Sequence, residues 1–297
     1  METKWVKKHS AESDRSGWML KAYEKYRRLR ASIRPLLGAP LPEYCLNAVV
    51  IPAYAESEHL PATLASLAAC PEMQLQHTAV LVVVNNRIRE LETEHVLADN
   101  RRTLAWLAEY GQQSTLNLLW LDCASPGREL ADKGGVGAAR KIGCDSLLEA
   151  WWKRHQVNGF PASAQNGERI LFQLDADTTV EPSYLTAADA LRSNEEPAGV
   201  VPLRHQPATS PGDQHAIRQY ELYMRYYVDG LTWSGSPYAY HSVGSTIVCT
   251  ATGYLMAGGF SAKRTAGEDV YFLQNMAKLG GVCELRNTCV HPAARIS

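Results

Sequence analysis

An α/β chain built on a mixed, mainly parallel central sheet is what the sequence predicts, and three observations predict it. Short, wholly apolar runs recur along the chain. Segments with helical spacing of apolar residues separate them. Polar clusters sit just after those runs or at helix starts. Strands buried on both faces read as continuous apolar runs, and their alternation with helices calls for crossovers that cover both faces of the sheet.

The elements follow in order. Ala48, Val49, Val50 and Ile51 form the first run, and Leu60, Leu64 and Leu67 follow at helical spacing. The second run, 79–84, ends in Asn85 and Asn86. Leu97, Leu104, Ala105 and Ala108 mark a helix, 116–121 a third strand, and Cys144, Leu147, Leu148 and Trp151 one face of another helix. Residues 170–174 and 199–203 supply the fourth and fifth strands. Beyond them Ile217, Tyr220, Met224, Tyr227 and Val228 share a helix face, and such a stripe predicts a core helix. The loop 233–240, aromatic and rich in small residues, is suited to contact an acceptor.

Ahead of all this, residues 1–44 read as a basic helical arm and a Pro-rich linker, with 45–297 as the domain proper. Residues 1–34 hold ten Lys and Arg against four acids. Trp18, Tyr23, Tyr26 and Leu29 are interleaved with those cations, and Pro35, Gly38, Pro40 and Pro42 end the helix. Two readings stay open for the arm: a surface helix packed on the domain, or peripheral membrane contact through residues 1–34.

Composition narrows the function. With 297 residues, 45% hydrophobic and 21% charged, the chain can bury a core. A formal net charge of -1 gives no electrostatic case for nucleic acid. Seven cysteines form no C-x-x-C pair, which suits reduced thiols in a cytoplasmic protein. Neither a signal peptide nor a spanning run is evident.

The strongest local motif is Asp175-Ala176-Asp177, directly after the fourth strand. Two carboxylates at a strand end suit a hard divalent cation, Mn²⁺ or Mg²⁺, which neutralises a departing diphosphate. Others accompany it in order: Pro52, Tyr54 and Glu56 after the first strand, Lys133 to Arg140 before a helix, Gly258-Gly259-Phe260, and Gly267-Glu268-Asp269 opening a helix. Taken together, these resemble the family 2-type glycosyltransferases of the GT-A fold over roughly residues 46–291.

That resemblance implies a GT-A-like domain with a nucleotide-sugar-binding part, 45–180, and an acceptor-binding part, 181–297. Pro52, Tyr54 and Glu56 would receive the donor's base and ribose. Asn85 and Asn86 stand where acidic residues are common, a departure that leaves the base open. Lys133 and Arg140 would lie near the diphosphate. Asp175 and Asp177 would hold the metal, with His291 completing its shell. Asp269, with Glu268 beside it, would act as the base of an inverting enzyme. The donor would be a nucleotide diphosphate-sugar, and the acceptor a carbohydrate, a lipid-linked molecule or a small molecule. Gln274 to Lys278 lacks the Q-x-x-R-W of processive synthases, so single addition is expected. His241 is a weaker candidate for acceptor binding. A sugar-nucleotide pyrophosphorylase and a non-catalytic binding module are the alternatives.

Overall fold

The computed structural model describes residues 12–88, 91–131, 135–158, 168–262 and 267–295, with backbone alone at 12–20 and 155–158. In chain order the helices are α1 (Glu12–Leu29), α2 (Leu60–Ala68), α3 (Glu72–Leu75), α4 (Glu94–Tyr110), α5 (Val136–Asn158), α6 (Ala187–Arg192), α7 (Pro211–Trp233), α8 (Ala251–Ala257) and α9 (Glu268–Leu279). The strands are β1 (Leu37–Gly38), β2 (Asn47–Ala53), β3 (Thr78–Asn85), β4 (Asn117–Cys123), β5 (Ile170–Gln173), β6 (Thr178–Val180), β7 (Ala198–Val200), β8 (Ile247–Thr250), β9 (Val282–Glu284) and β10 (Val290–Pro292).

Eight strands form one sheet in the order β1-β4-β3-β2-β5-β8-β7-β9, and β10 pairs with β6 in a small second sheet. Four pairings of the large sheet are parallel: β2 with β3, β2 with β5, β3 with β4, and β7 with β9. Three are antiparallel: β1 with β4, and β8 with both β5 and β7. The sheet is therefore mixed and mainly parallel, as the apolar runs predict. The antiparallel strands β1 and β8 are elements they do not announce.

Alternate residues of the same strand feed two cores, as the two-residue period of a strand requires. Ala48, Val50, Leu81 and Val83 face one cluster with Cys144, Leu147 and Trp151 of α5. Val49, Ile51, Val80 and Val82 face the other with Leu60, Leu64 and Leu107. Helix α5 is buried all round from Gly137 to Glu149, between the sheet and a further layer.

That further layer is α1. Tyr23 and Tyr26 are buried, and their hydroxyls donate to Glu149 at 2.8 Å and to Asp145 at 2.7 Å. Lys141 reaches both Tyr26 and Asp145, Tyr254 donates to Asp145 at 3.0 Å, and the Ser32 amide donates to it at 2.6 Å. Arg27 pairs with Glu149 at 2.7 Å. After α1 the linker contributes β1 to the sheet edge, and Arg154 donates to the carbonyls of Leu41 and Pro42. Two of the aromatic residues that membrane contact would need are thus committed to the domain, while Leu29 is exposed. The side chain of Trp18 lies outside the described residues. Among the described residues no helix is long and apolar enough to cross a membrane.

Helix α7 departs from expectation in the opposite sense. Its apolar stripe predicts a core helix, yet none of its 23 residues is buried. Ile217, Met224, Val228 and Leu231 reach only partial burial, and Tyr220, Tyr223, Tyr226 and Tyr227 are exposed.

Candidate active site

The sheet order places a switch point between β2 and β5. From β2 the chain runs outward through β3 to β4, then returns to add β5 on the other side of β2. In open α/β sheets the crevice beyond the carboxyl ends of two such strands is where ligands bind. The turn after β2 carries Tyr54 and Glu56, and that after β5 carries Asp175 and Asp177.

The β2 turn is held in an unusual shape. Ala55 has φ of 55°, a conformation that costs a residue with a Cβ on the order of 1–3 kcal/mol and tends to persist at functional sites. Its amide donates to Asn100 Oδ1 at 3.0 Å, and Ser57 binds Asp99 through both its amide and its hydroxyl. Asn100 Nδ2 also donates to the Asn85 carbonyl and to Asn86 Oδ1. One buried asparagine on α4 therefore ties the ends of β2 and β3 together. Sequence reading missed Asp99 and Asn100. Their signal was the placement of polar residues on the inward face of an otherwise apolar-striped helix.

On the β5 side, Arg140 is the organising group. Its side chain is 3% exposed and bridges Asp175 and Glu268, each at 2.5 Å. Gly244 allows this position, because a Cβ there would collide with the guanidinium. Burial works against the charge of Arg140, but Asp175, Glu268 and Asp269 outweigh it and make the guanidinium hold its proton more tightly. Burial likewise raises the Glu268 carboxyl, and Arg140 offsets this only in part. Glu268 is buried, whereas Asp269 is not, and Asp269 Oδ1 accepts from the Val270 amide in the first turn of α9.

Asp177 has a different partner. Arg295 Nε donates to its Oδ2 at 2.8 Å, and the same guanidinium pairs with Glu56. The Asp177 carbonyl accepts from Ala293 and from Gln206 Nε2. One cation from the chain's end thus joins the β2 turn to the β5 turn. His291 is placed on β10 opposite Thr179, but its ring nitrogens contact the Arg204 carbonyl at 2.9 Å and Glu181 at 3.2 Å. The structure therefore gathers Asp175, Glu268 and Asp269 around Arg140, and Glu56 and Asp177 around Arg295, and gives His291 other partners. Pro52 lies within β2, one residue before its end. Tyr54 is half exposed, with its hydroxyl on Glu92 at 2.5 Å. Lys133 lies outside the described residues. His241 is half-buried, and burial lowers its pKa.

Asn85 Oδ1, Arg140 Nε and Ser245 Oγ are among the buried polar atoms with no hydrogen-bond partner among the described residues. Each such group costs roughly 1–3 kcal/mol, which a ligand would offset.

Solved structures resemble the chain at low identity. S. aureus TarS 1-349 in complex with UDP-GlcNAc matches with a TM-score of 0.49 at 15% identity, covering 84% of this chain and 59% of that one. The mannosyltransferase PcManGT from Pyrobaculum calidifontis, in complex with GDP-Man and Mn²⁺, matches at 0.45 and 17% identity, covering 94% and 65%. The chain thus spans about three-fifths of the TarS 1-349 length. No protein-family model matches the sequence, and no curated protein does. At these identities and scores the matches carry no function over to this chain, and the chemistry rests on its own residues.

The two candidate metal carboxylates, Asp175 and Asp177, are each paired with an arginine. Among the described residues no group of three His, Cys, Asp or Glu is assembled to hold a metal. Mg²⁺, however, is commonly bound by one or two carboxylates with substrate phosphates supplying further oxygens. Asp175 and Asp177 offer that chemistry at the switch point, and the Asp175 side chain is 37% exposed.

Proposed function

We propose that the chain is a metal-dependent glycosyltransferase that moves a sugar from a nucleotide diphosphate-sugar to an acceptor hydroxyl, singly and with inversion. One observation carries this reading: buried Arg140 joins Asp175, at the end of β5, to Glu268, whose neighbour Asp269 opens α9. A donor-side carboxylate and a base-bearing turn are thereby fixed to the same guanidinium.

Glu56, Tyr54 and Asn85 line the base and ribose side of the crevice. A divalent cation held by Asp175 and Asp177 would neutralise charge on the departing diphosphate. Arg140 is a positioning residue, because both its charged contacts are with protein carboxylates. Arg295 holds Glu56 and Asp177 together, and a guanidinium fork suits phosphate oxygens as well as carboxylates. Asp269, outside the buried pair, takes the proton from the acceptor hydroxyl as it attacks the anomeric carbon. Glu268 is spent on Arg140 and leaves that role to its neighbour.

The test is release of nucleoside diphosphate from UDP- and GDP-sugars, with and without Mn²⁺ and with candidate acceptors. Asp269→Asn should lower turnover at least about a hundredfold with donor binding little changed. Asp177→Ala should remove the Mn²⁺ dependence of nucleotide binding. Full activity in chelator, or in either variant, overturns the assignment.

A further inference from the structure

Helix α7 is the largest feature that the proposed chemistry does not use. It has no buried residue, although 23 residues at 1.5 Å per residue make a rod on the order of 35 Å long. Its half-buried positions Ile217, Glu221, Met224, Val228 and Leu231 recur every three or four residues and face the domain, where Glu221 meets His205 at 3.0 Å. At 100° per residue, Leu222, Tyr226 and Trp233 fall within about 40° of arc on the opposite side. Their exposures are 60%, 76% and 91%, with Tyr223 beside them at 64%.

We propose that this outward face is the contact between two copies of the chain, packed antiparallel about a two-fold axis. Aromatic residues with arginine beside them are the composition of a protein interface. The charges are self-complementary. With the axis between Leu222 and Tyr226, each Leu222 meets the partner's Tyr226, and each Gln219 meets the partner's Asp229. Arg218 then lies within one turn of the partner's Asp229, and His215 faces the partner's Trp233. The same patch serves both copies, as a two-fold contact requires, and the two helix dipoles oppose.

The area suits a reversible dimer. Large aromatic side chains carry about 150–250 Å² each, so the four residues at their exposures offer roughly 600 Å² per copy. About 1,200 Å² for the pair lies at the lower edge of stable interfaces. A membrane surface fits the face less well. Interfacial helices carry a polar face rich in Lys and Arg. Here Asp213, Glu221 and Asp229 outnumber Arg218 and Arg225.

Sedimentation velocity of the full chain across the micromolar range tests the pairing without reference to catalysis. The mass should climb from 32.8 kDa toward twice that value as concentration rises. Asp229→Arg should weaken association about tenfold by placing like charges together, and adding Arg218→Asp should restore it. Leu222→Glu with Tyr226→Glu should leave a monomer whose far-ultraviolet circular dichroism matches the parent, as does its melting below the association range. Three outcomes overturn the proposal. These are a parent chain monomeric throughout, a dimer indifferent to these substitutions, or a monomer that floats with phosphatidylglycerol vesicles and is released by the double glutamate variant.

Discussion

Helices α1 and α7 both look peripheral in sequence terms, and the fold treats them in opposite ways. Helix α1 has a basic, polar sequence, yet Tyr23 and Tyr26 are buried against α5. Helix α7 carries the clearer apolar stripe and buries nothing. Apolar spacing tells which side of a helix turns inward, but depth depends on what waits on the other side. For α1 the partner is a row of polar groups on α5, Lys141, Asp145 and Glu149, spaced four apart and so stacked on one face. Tyrosine suits that partner, because its ring fills space while its hydroxyl meets a carboxylate.

The sharpest way to break this comparison is at Asp145. Its carboxylate is fully buried and accepts from Tyr26, Tyr254, Lys141 and the Ser32 amide. Asp145→Ala strips all four and leaves the Lys141 ammonium buried without its carboxylate, with only the Tyr26 hydroxyl as partner. Removing one partner of a buried pair costs about 3–5 kcal/mol. The expected result is a large fall in melting temperature with release of α1, read as faster amide exchange over residues 20–30. If α1 stays protected, apolar contacts hold it and the polar row is incidental.

This contrast also marks what the sequence could and could not tell. The strands β2, β3 and β5 were legible because a strand buried on both faces has no polar positions to confuse the reading. The acids at the β5 end were legible as D-x-D, and the start of α9 as Glu268-Asp269. The pairing of Arg140 with both acidic segments was not, since it joins residues 35 and 128 positions apart. Nor was the bridge from Arg295 to Glu56, across 239 positions. Local spacing carries no record of such contacts. The fate of the tyrosines failed for a related reason: Tyr23 and Tyr220 look alike until a buried Glu149 is set beside one of them.

Acid sharpens the comparison with a smaller effect. Burial acts to raise the Glu149 carboxyl, but bonds from Arg27, Tyr23 and Lys153 outweigh it and hold the group below its usual 4.5. A carboxyl depressed in the folded state stabilises fully above its unfolded value and loses that stabilisation as pH falls through the folded one. The α1 contact should therefore be intact at neutral pH and weaken progressively below about pH 4.5. Glu149→Gln should cost about 1.5–3 kcal/mol at neutral pH, the range for hydrogen bonds to a charged group, and flatten the acid-side slope. Proteolysis in the 30–44 linker across pH reads both effects. A variant with the parent's slope would assign the acid response elsewhere.

The smallest expected effect is on α7, and its smallness is what makes it informative. Leu222→Ala and Tyr226→Ala remove large apolar groups from positions 60% and 76% exposed in the single chain. With most of that surface already in water, there is little burial to lose and no cavity to form. Surface substitutions of this kind usually fall within about ±0.5 kcal/mol. Below the association range, chemical denaturation should therefore place both variants beside the parent, while the Asp145 variant stands far from it. Above that range the parent alone should gain stability with concentration, because a partner that binds only the folded chain adds to its apparent stability by mass action. Equal gains in the Leu222 and Tyr226 variants would put the contact on another surface. A loss of several kcal/mol at every concentration would show instead that α7 packs inward more tightly than its exposure allows.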